Sequence, residues 1–265
     1  LDGNLGVVGG SLQVKGYPQS VEDLDFTLRF KGREIEIPKD DPARGLMAQG
    51  ALTFWGRAKW GSGGFRDYAL EASLEEFEFR DVPEGFELQG DLQASLKGSD
   101  QGGGLLEGKL QANHMLYRAD INLTDILLSS SLAGVSGTSG LDPDDPMARI
   151  RLDLDLQLAE PWNFDTNLLK LQGRPLPGSS FRVKGTLARP TLQGKMDLIP
   201  GGRVTNLLPA GDIVVERGSI AFTGLTQSLL PQLDILGRVD VAPYVVNLQI
   251  RGSLDRLEMN PTSTP

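Results

Sequence analysis

Between Phe181 and Leu198 the chain reads FRVKGTLARPTLQGKMDL, and its polarity alternates with a period of two. Phe181, Val183, Gly185 and Leu187 are apolar or glycine, while Arg182, Lys184 and Thr186 between them are polar. An extended strand puts alternate side chains on opposite faces, so one face of this segment is dry. After the turn signal Arg189-Pro190-Thr191, the apolar set resumes at Leu192, Gly194, Met196 and Leu198, opposed by Gln193, Lys195 and Asp197. Two strands of one sheet that share an apolar side follow from this pattern.

The same parity recurs along the chain. Leu24, Phe26, Leu28 and Phe30 alternate with polar residues, as do Phe86, Leu88, Gly90, Leu92, Ala94 and Leu96. Ile150 to Leu158, Leu233 to Val241 and Val246 to Leu254 continue it. Between Ile213-Val214-Val215 and Ile220-Ala221-Phe222 the apolar phase flips across Gly218, as a β-bulge requires. The segments Ala43 to Ala48 and Trp162 to Leu171 leave room for single helical turns. His114 to Leu128 is mixed in phase and reads as two short strands around Arg118-Ala119-Asp120. Ser129 to Pro146 is rich in serine and glycine and ends in Asp142-Pro143-Asp144-Asp145-Pro146. It is either a long rim loop or a boundary between two segments.

The chain is therefore predicted to be all-β. The expected architecture is an elongated, mostly antiparallel coiled sheet forming an open hydrophobic groove, with at most short helical turns. Residues 1–138 would supply N-terminal groove repeats and 139–265 a C-terminal groove segment, together one continuous sheet. Thirty-three glycines and 16 prolines suit many short elements separated by turns. In-phase glycines at Gly90, Gly108, Gly185, Gly194, Gly237 and Gly252 admit two readings. They are bulges in ordinary sandwich strands, or they relieve crowding where one sheet bends around an apolar concavity. Fourteen or so strands at about 4.8 Å spacing would make a groove of about 65 Å.

Several function classes drop out. A net charge of −9 with no basic run gives no electrostatic reason to bind nucleic acid. Without cysteine there are neither disulfides nor thiolate metal sites. No stretch reaches the roughly 18 apolar residues of a membrane helix. The chain starts in mid-pattern at Leu1-Asp2-Gly3 and reads as a soluble part of something longer. His114 has no second histidine or cysteine to work with, and Asp142, Asp144 and Asp145 lack the turn glycine and glutamate of a calcium loop. Asp153 and Asp155 share a phase with Arg149 and Arg151, which suits a solvent-facing charge ladder. No nucleophile elbow, phosphate loop or zinc motif is present, and neither catalysis nor a cofactor is expected.

The last third carries KGTLARPTLQGKMDLIPGGRV, then GDIVVERGSIAFTG, PQLDILGRVDV and YVVNLQIRGSLDRLEMNPTSTP. In that order, Gly185 with Arg189-Pro190, Leu192-x-Gly194, Gly218-x-Ile220-x-Phe222, Pro231-x-Leu233-Asp234-Ile235 and Gly252-x-Leu254 resemble the C-terminal domain of the TamB family, related to AsmA-like proteins. The resemblance implies a taco-shaped sheet with a greasy trough. It also implies a periplasmic location in a diderm bacterium, with an inner-membrane anchor elsewhere in the full-length protein. It further implies phospholipid transfer toward the outer membrane, or assembly of outer-membrane barrels with a BamA-like partner, TamA.

The leading expectation is a non-enzymatic conduit for phospholipid or another acyl-chain ligand. The residues expected to face the trough are Phe181, Val183, Leu187, Leu192, Met196, Leu198, Ile213, Val215, Ile220, Phe222, Leu233, Ile235, Val239, Val246, Leu248 and Ile250. A charge at Met196 or Ile235 is expected to block transfer without unfolding the sheet. The alternative is a scaffold or chaperone whose open strand edge pairs with a barrel protein. An enzyme on a β-solenoid would need exposed carboxylate and aromatic clusters that the sequence lacks.

Overall fold

The alternating segments fold as strands, and all of them join one eighteen-stranded sheet. The computed structural model describes residues 2–13, 19–61, 64–80, 85–99, 103–118, 146–176, 180–206, 211–224, 231–241, 244–253 and 256–264. In chain order the strands are β1 (Asp2–Gln13), β2 (Ser20–Lys31), β3 (Glu34–Ile37), β4 (Ala43–Met47), β5 (Gly50–Gly61) and β6 (Gly64–Arg80). Next come β7 (Phe86–Ser99), β8 (Gly103–Tyr117), β9 (Arg151–Leu158), β10 (Trp162–Asp165), β11 (Leu169–Pro175) and β12 (Phe181–Thr186). The last six are β13 (Pro190–Leu198), β14 (Arg203–Val204), β15 (Ile213–Thr223), β16 (Gln232–Val241), β17 (Tyr244–Ser253) and β18 (Arg256–Thr264). A 3₁₀ turn, Pro146–Arg149, is the one helical element among the described residues.

Pairing follows the chain almost without exception. β1 to β8 are neighbours in order, with β3 and β4 end to end between β2 and β5. β9 with β10, β12 with β11, and β13 with β14 fill the next three rows, and β15 to β18 complete the sheet. Four pairs of short strands each share a row, so eighteen strands make fourteen rows. At about 4.8 Å per row the sheet is about 60 Å long. It is all-β, elongated and mostly antiparallel, as the parity and the short connections predict.

Two pairings are parallel, β8 with β9 and β8 with β10. A parallel neighbour needs a crossover of a dozen or more residues, and residues 118–150 are long enough to supply one. The short connections elsewhere suit antiparallel neighbours. In this pairing Leu106 meets Leu152 and Leu110 meets Leu156, so strands from before and after the connection share one ladder.

Local expectations shift in four places. Ala43–Met47 is a strand paired with β5, not a helical turn. Trp162 to Leu171 is also extended: β10 and β11 are joined at Thr166, whose Oγ1 accepts the N–H groups of Leu168 (3.2 Å) and Leu169 (2.9 Å). Windows of four or five residues are too short for periodicity to separate strand from helix, and ladder partners decide the matter. The turn before β13 is Leu187–Arg189, closed by the Thr186 N–H on the Arg189 carbonyl at 3.1 Å, and Pro190 already belongs to the strand. The phase flip in β15 sits at Glu216, between the Val215–Gly237 and Arg217–Leu236 pairs, two residues ahead of Gly218. The first short strand expected after His114 is the end of β8. The second, the Ser129–Asp145 stretch, the Gly16-Tyr17-Pro18 and Ala242-Pro243 turns and Leu254 lie outside the described residues.

No second sheet stands over the apolar face among the described residues, and there the sheet covers itself. Trp162 of β10 stacks on Phe222 of β15 with ring centroids 5.6 Å apart and an interplanar angle of 10°. Their rows are three apart, about 14 Å in a flat sheet, so the sheet curls toward this face. Gly194 makes the curl possible. It stands at φ 149°, and a Cβ there would enter the ring of Phe181. Gly194→Val is expected to cost about 2–4 kcal/mol through overpacking and backbone strain, read as a lowered urea midpoint at unchanged slope.

Candidate functional site: the apolar face of the sheet

Register aligns the apolar residues of successive strands into ladders that cross the sheet. One runs Leu52, Leu74, Leu92, Leu110, Leu156 and Phe181, through five consecutive pairings. Another runs Phe54, Ala72, Ala94, Gly108, Leu154, Val183 and Leu192. A slip of one residue would turn these faces to water, so the register is strongly held. The result is a continuous apolar stripe from β5 to β13.

The stripe is not equally covered along its length. From β2 to β9 many of its large members, including Phe26, Leu28, Phe54, Leu70, Leu92, Leu96, Leu106 and Leu154, are half-buried, while Leu24, Leu74, Phe77, Leu152 and Leu156 among them are buried. Toward the C-terminus the face closes. Met196 and Ile213 are 0% exposed, and Phe181, Val215, Ile220 and Ile235 are each 1% exposed.

Aromatic rings close that end. Trp162 stacks on Phe164 at 4.9 Å and meets Phe181 and Phe86 edge-on at 6.3 and 6.1 Å, while Phe181 meets Phe222 edge-on at 6.1 Å. Such pairs add about 0.5–1.5 kcal/mol each beyond their burial. The Trp162 indole nitrogen is buried without a hydrogen-bond partner, at a cost of about 1–3 kcal/mol. Neighbouring side chains fill the spaces left by glycine. A Cβ on Gly173 would meet the Met196 sulfur, and one on Gly237 the Ile213 side chain, whereas at Gly90 and Gly108 it would meet the backbone of the next strand.

Of the sixteen residues expected to face a trough, twelve lie in this closed core: Phe181, Met196, Leu198, Ile213, Val215, Ile220, Phe222, Leu233, Ile235, Val239, Leu248 and Ile250. Val183, Leu187, Leu192 and Val246 are half-buried. The solvent-reached part of the same face lies instead on β2 to β9. Its alternation is legible in sequence, but its exposure is not. Trp162, the hub of the aromatic cluster, stood in a segment too short to assign.

The opposite face is polar. Asp153 faces Glu107 and Lys184 across its two ladders, and Asp155 faces Lys109 and Arg182. Of the two aspartates in the expected solvent-facing ladder, however, only Asp153 is exposed: Asp155 is half-buried, with its Oδ1 out of solvent and without a hydrogen-bond partner. His114 is half-buried opposite Gln89 on β7. Asp142, Asp144 and Asp145 lie outside the described residues, and the described ones hold no group of three acidic or histidine side chains placed for a metal. Arg80 and then Gln89 hydrogen-bond Glu78 and hold its carboxyl below the usual range. Arg251 does the same for Asp234.

Burial reverses one expectation about mutations. With Met196 at 0% and Ile235 at 1% exposure, a carboxylate at either site would be desolvated without a partner. Met196→Asp and Ile235→Asp are expected to destabilise by more than about 4 kcal/mol, seen as loss of cooperative thermal unfolding.

The family model described as TamB C-terminal domain matches residues 40–265, which covers β4 to β18 and both the half-buried and the closed parts of the apolar face. No curated protein and no solved structure matches the chain. A match over that span, on a single all-β sheet with one apolar face, makes this chain a member of the TamB family through its C-terminal domain.

Proposed function

We propose that the chain is a non-enzymatic lipid conduit, whose apolar face holds phospholipid acyl chains between the inner and outer membranes. Family membership associates it with the translocation and assembly module, an envelope system that works with an outer-membrane partner. The observation that carries the lipid reading is the in-register apolar stripe left half-covered from β2 to β9. Burying a methylene gives about 0.8 kcal/mol, so a 14-methylene chain on such a face gains roughly 11 kcal/mol. That is the scale needed to offset leaving a bilayer. The closed aromatic end forms a floor in this reading, and the sixteen core and rim residues continue the same face beyond the half-covered stretch.

Leu92→Arg and Leu106→Arg place a cation on the half-covered stretch, where a long side chain can keep its charge in water. Native mass spectrometry of the purified chain should show bound phospholipid in the parent and little in either variant, with unchanged circular dichroism. Normal lipid content in both variants sinks the conduit.

A second reading has its own observation. β1 pairs on one side with β2, and its twelve residues carry one charge, Asp2, and no proline. Edges are usually guarded by lysine, proline or a bulge; the register of β1 shifts between Val7 and Leu12, so the regular stretch from Asp2 to Val7 is the part that suits pairing with another strand. A scaffold that augments a BamA-like barrel should yield crosslinks from photo-reactive residues at Gly6 or Val8 to an outer-membrane barrel. Lipid-free protein should give them equally well.

A further inference from the structure

Basic residues mark one rim of the sheet at successive turns. Arg33 lies in the turn between β2 and β3, and Arg66 in the bulge that opens β6. Lys97 lies near the end of β7, Arg149 in the 3₁₀ turn before β9, Arg189 in the turn before β13, and Arg256 at the start of β18. All six are exposed, and none has a carboxylate partner among the described residues. Asp2, at the start of β1, accepts the Gly32 N–H at 2.9 Å.

The opposite rim is organised differently. There Arg80 pairs with Glu78, Arg118 with Glu87, Lys170 with Asp165, Arg203 with Asp212 and Arg238 with Asp240. A chain of net charge −9 thus neutralises these five cations along one line of strand ends, whereas along the other Lys31 pairs with Glu36 and Arg251 with Asp234 but the six above stay free. Successive hairpins are two rows apart, about 10 Å. The Debye length is about 8 Å at physiological salt, so a ligand at one turn feels that turn's cation rather than the protein's net charge.

Arg33, Arg66, Lys97 and Arg149 border the half-covered apolar stretch, Arg189 follows just beyond it beside the half-buried Val183 and Leu192, and Arg256 lies at the far end of the sheet. The Arg33 carbonyl accepts the Trp60 N–H at 3.0 Å, and Trp60 meets Phe30 edge-on at 6.2 Å, which fixes that arginine's turn beside the apolar face. Arginine binds phosphate through paired N–H donors, and Arg33, Arg66, Arg149 and Arg189 are spaced along this rim.

We infer that this rim is a headgroup lip: the phosphodiester of a phospholipid docks on Arg33, Arg66, Arg149 or Arg189 while its acyl chains lie on the adjoining apolar face. The inference rests on the lipid reading above and adds to it a class of headgroup and a fixed orientation. Lipids would stand in file along the sheet, phosphates at one rim and tails inward.

The test compares short-chain phosphatidylglycerol with diacylglycerol of the same acyl length by calorimetry, below the micelle concentration. The parent is set beside a variant carrying Arg33→Gln, Arg66→Gln, Arg149→Gln and Arg189→Gln. The parent should prefer the phospholipid by about three- to tenfold, as expected for exposed charge pairs. In the variant the preference should fall to near one while diacylglycerol affinity stays unchanged. In the parent it should also shrink at 0.5 M salt, which tests the lip even if the variant folds poorly. A preference untouched by both the substitutions and salt overturns the lip and leaves the apolar path standing. Failure of the parent to bind either lipid overturns the path and the lip together. The lip is also overturned if inorganic phosphate alone binds the parent as strongly, or if phosphatidylglycerol vesicles bind through these arginines with no preference between the monomers.

Discussion

A lone sheet with one dry face has nowhere to bury that face except against itself. Eighteen strands in one hydrogen-bonded sheet, with no second layer among the described residues, leave curling as the available answer. How far the curl closes is a matter of side-chain volume. Where β10, β12 and β15 present Trp162, Phe164, Phe181 and Phe222, rings from rows three apart touch and the face is sealed. Where β6, β7 and β8 present Ala72, Ala94 and Gly108 at one level, nothing is large enough to reach across. Leu70, Leu92, Leu96, Leu106 and Leu110 beside them stay half-covered.

Glycine and the bulges serve the same geometry from the backbone side. Gly194 lets the Phe181 ring lie over the next strand, and removing that space would push the two rows apart. The bulges add local twist, and side-chain carboxylates satisfy amide groups the ladder leaves over. The Gly9 N–H donates to Asp25 at 2.7 Å, and the Glu76 N–H to Asp91 at 2.8 Å. Acidic residues on the polar face therefore have structural work to do, which explains why carboxylates recur in a chain whose described residues show no metal cluster.

The parity of Phe181 to Leu198 was enough to place strands and their shared apolar side, because a period of two has one geometric meaning, and the short connections pointed to the mostly antiparallel order. It was not enough at Ala43–Met47 or Trp162–Asp165, where the segments are shorter than any reliable period. The bulge in β15 was legible as a phase flip, but Gly218 drew attention away from Glu216. Glycine is the easier residue to notice, while the extra residue of a bulge is defined by its partners on β16. The candidate site was legible as a face and not as an extent. Met196 and Leu92 are both in-phase apolar residues, and nothing in their own strands says that one is sealed and the other half-covered.

What the amino-acid sequence determined by itself is the all-β class, the dry face and the lack of any catalytic motif, since these depend on residue identity and on spacing within single strands. Three things were decided only by tertiary structure. They are the parallel junction of β8 with β9, the closing of the C-terminal end around Trp162, and the gathering of unpaired cations along one rim. Each depends on which strand ends and which rings are brought together by pairing between distant segments, and a one-dimensional period carries no information about its neighbours across the sheet.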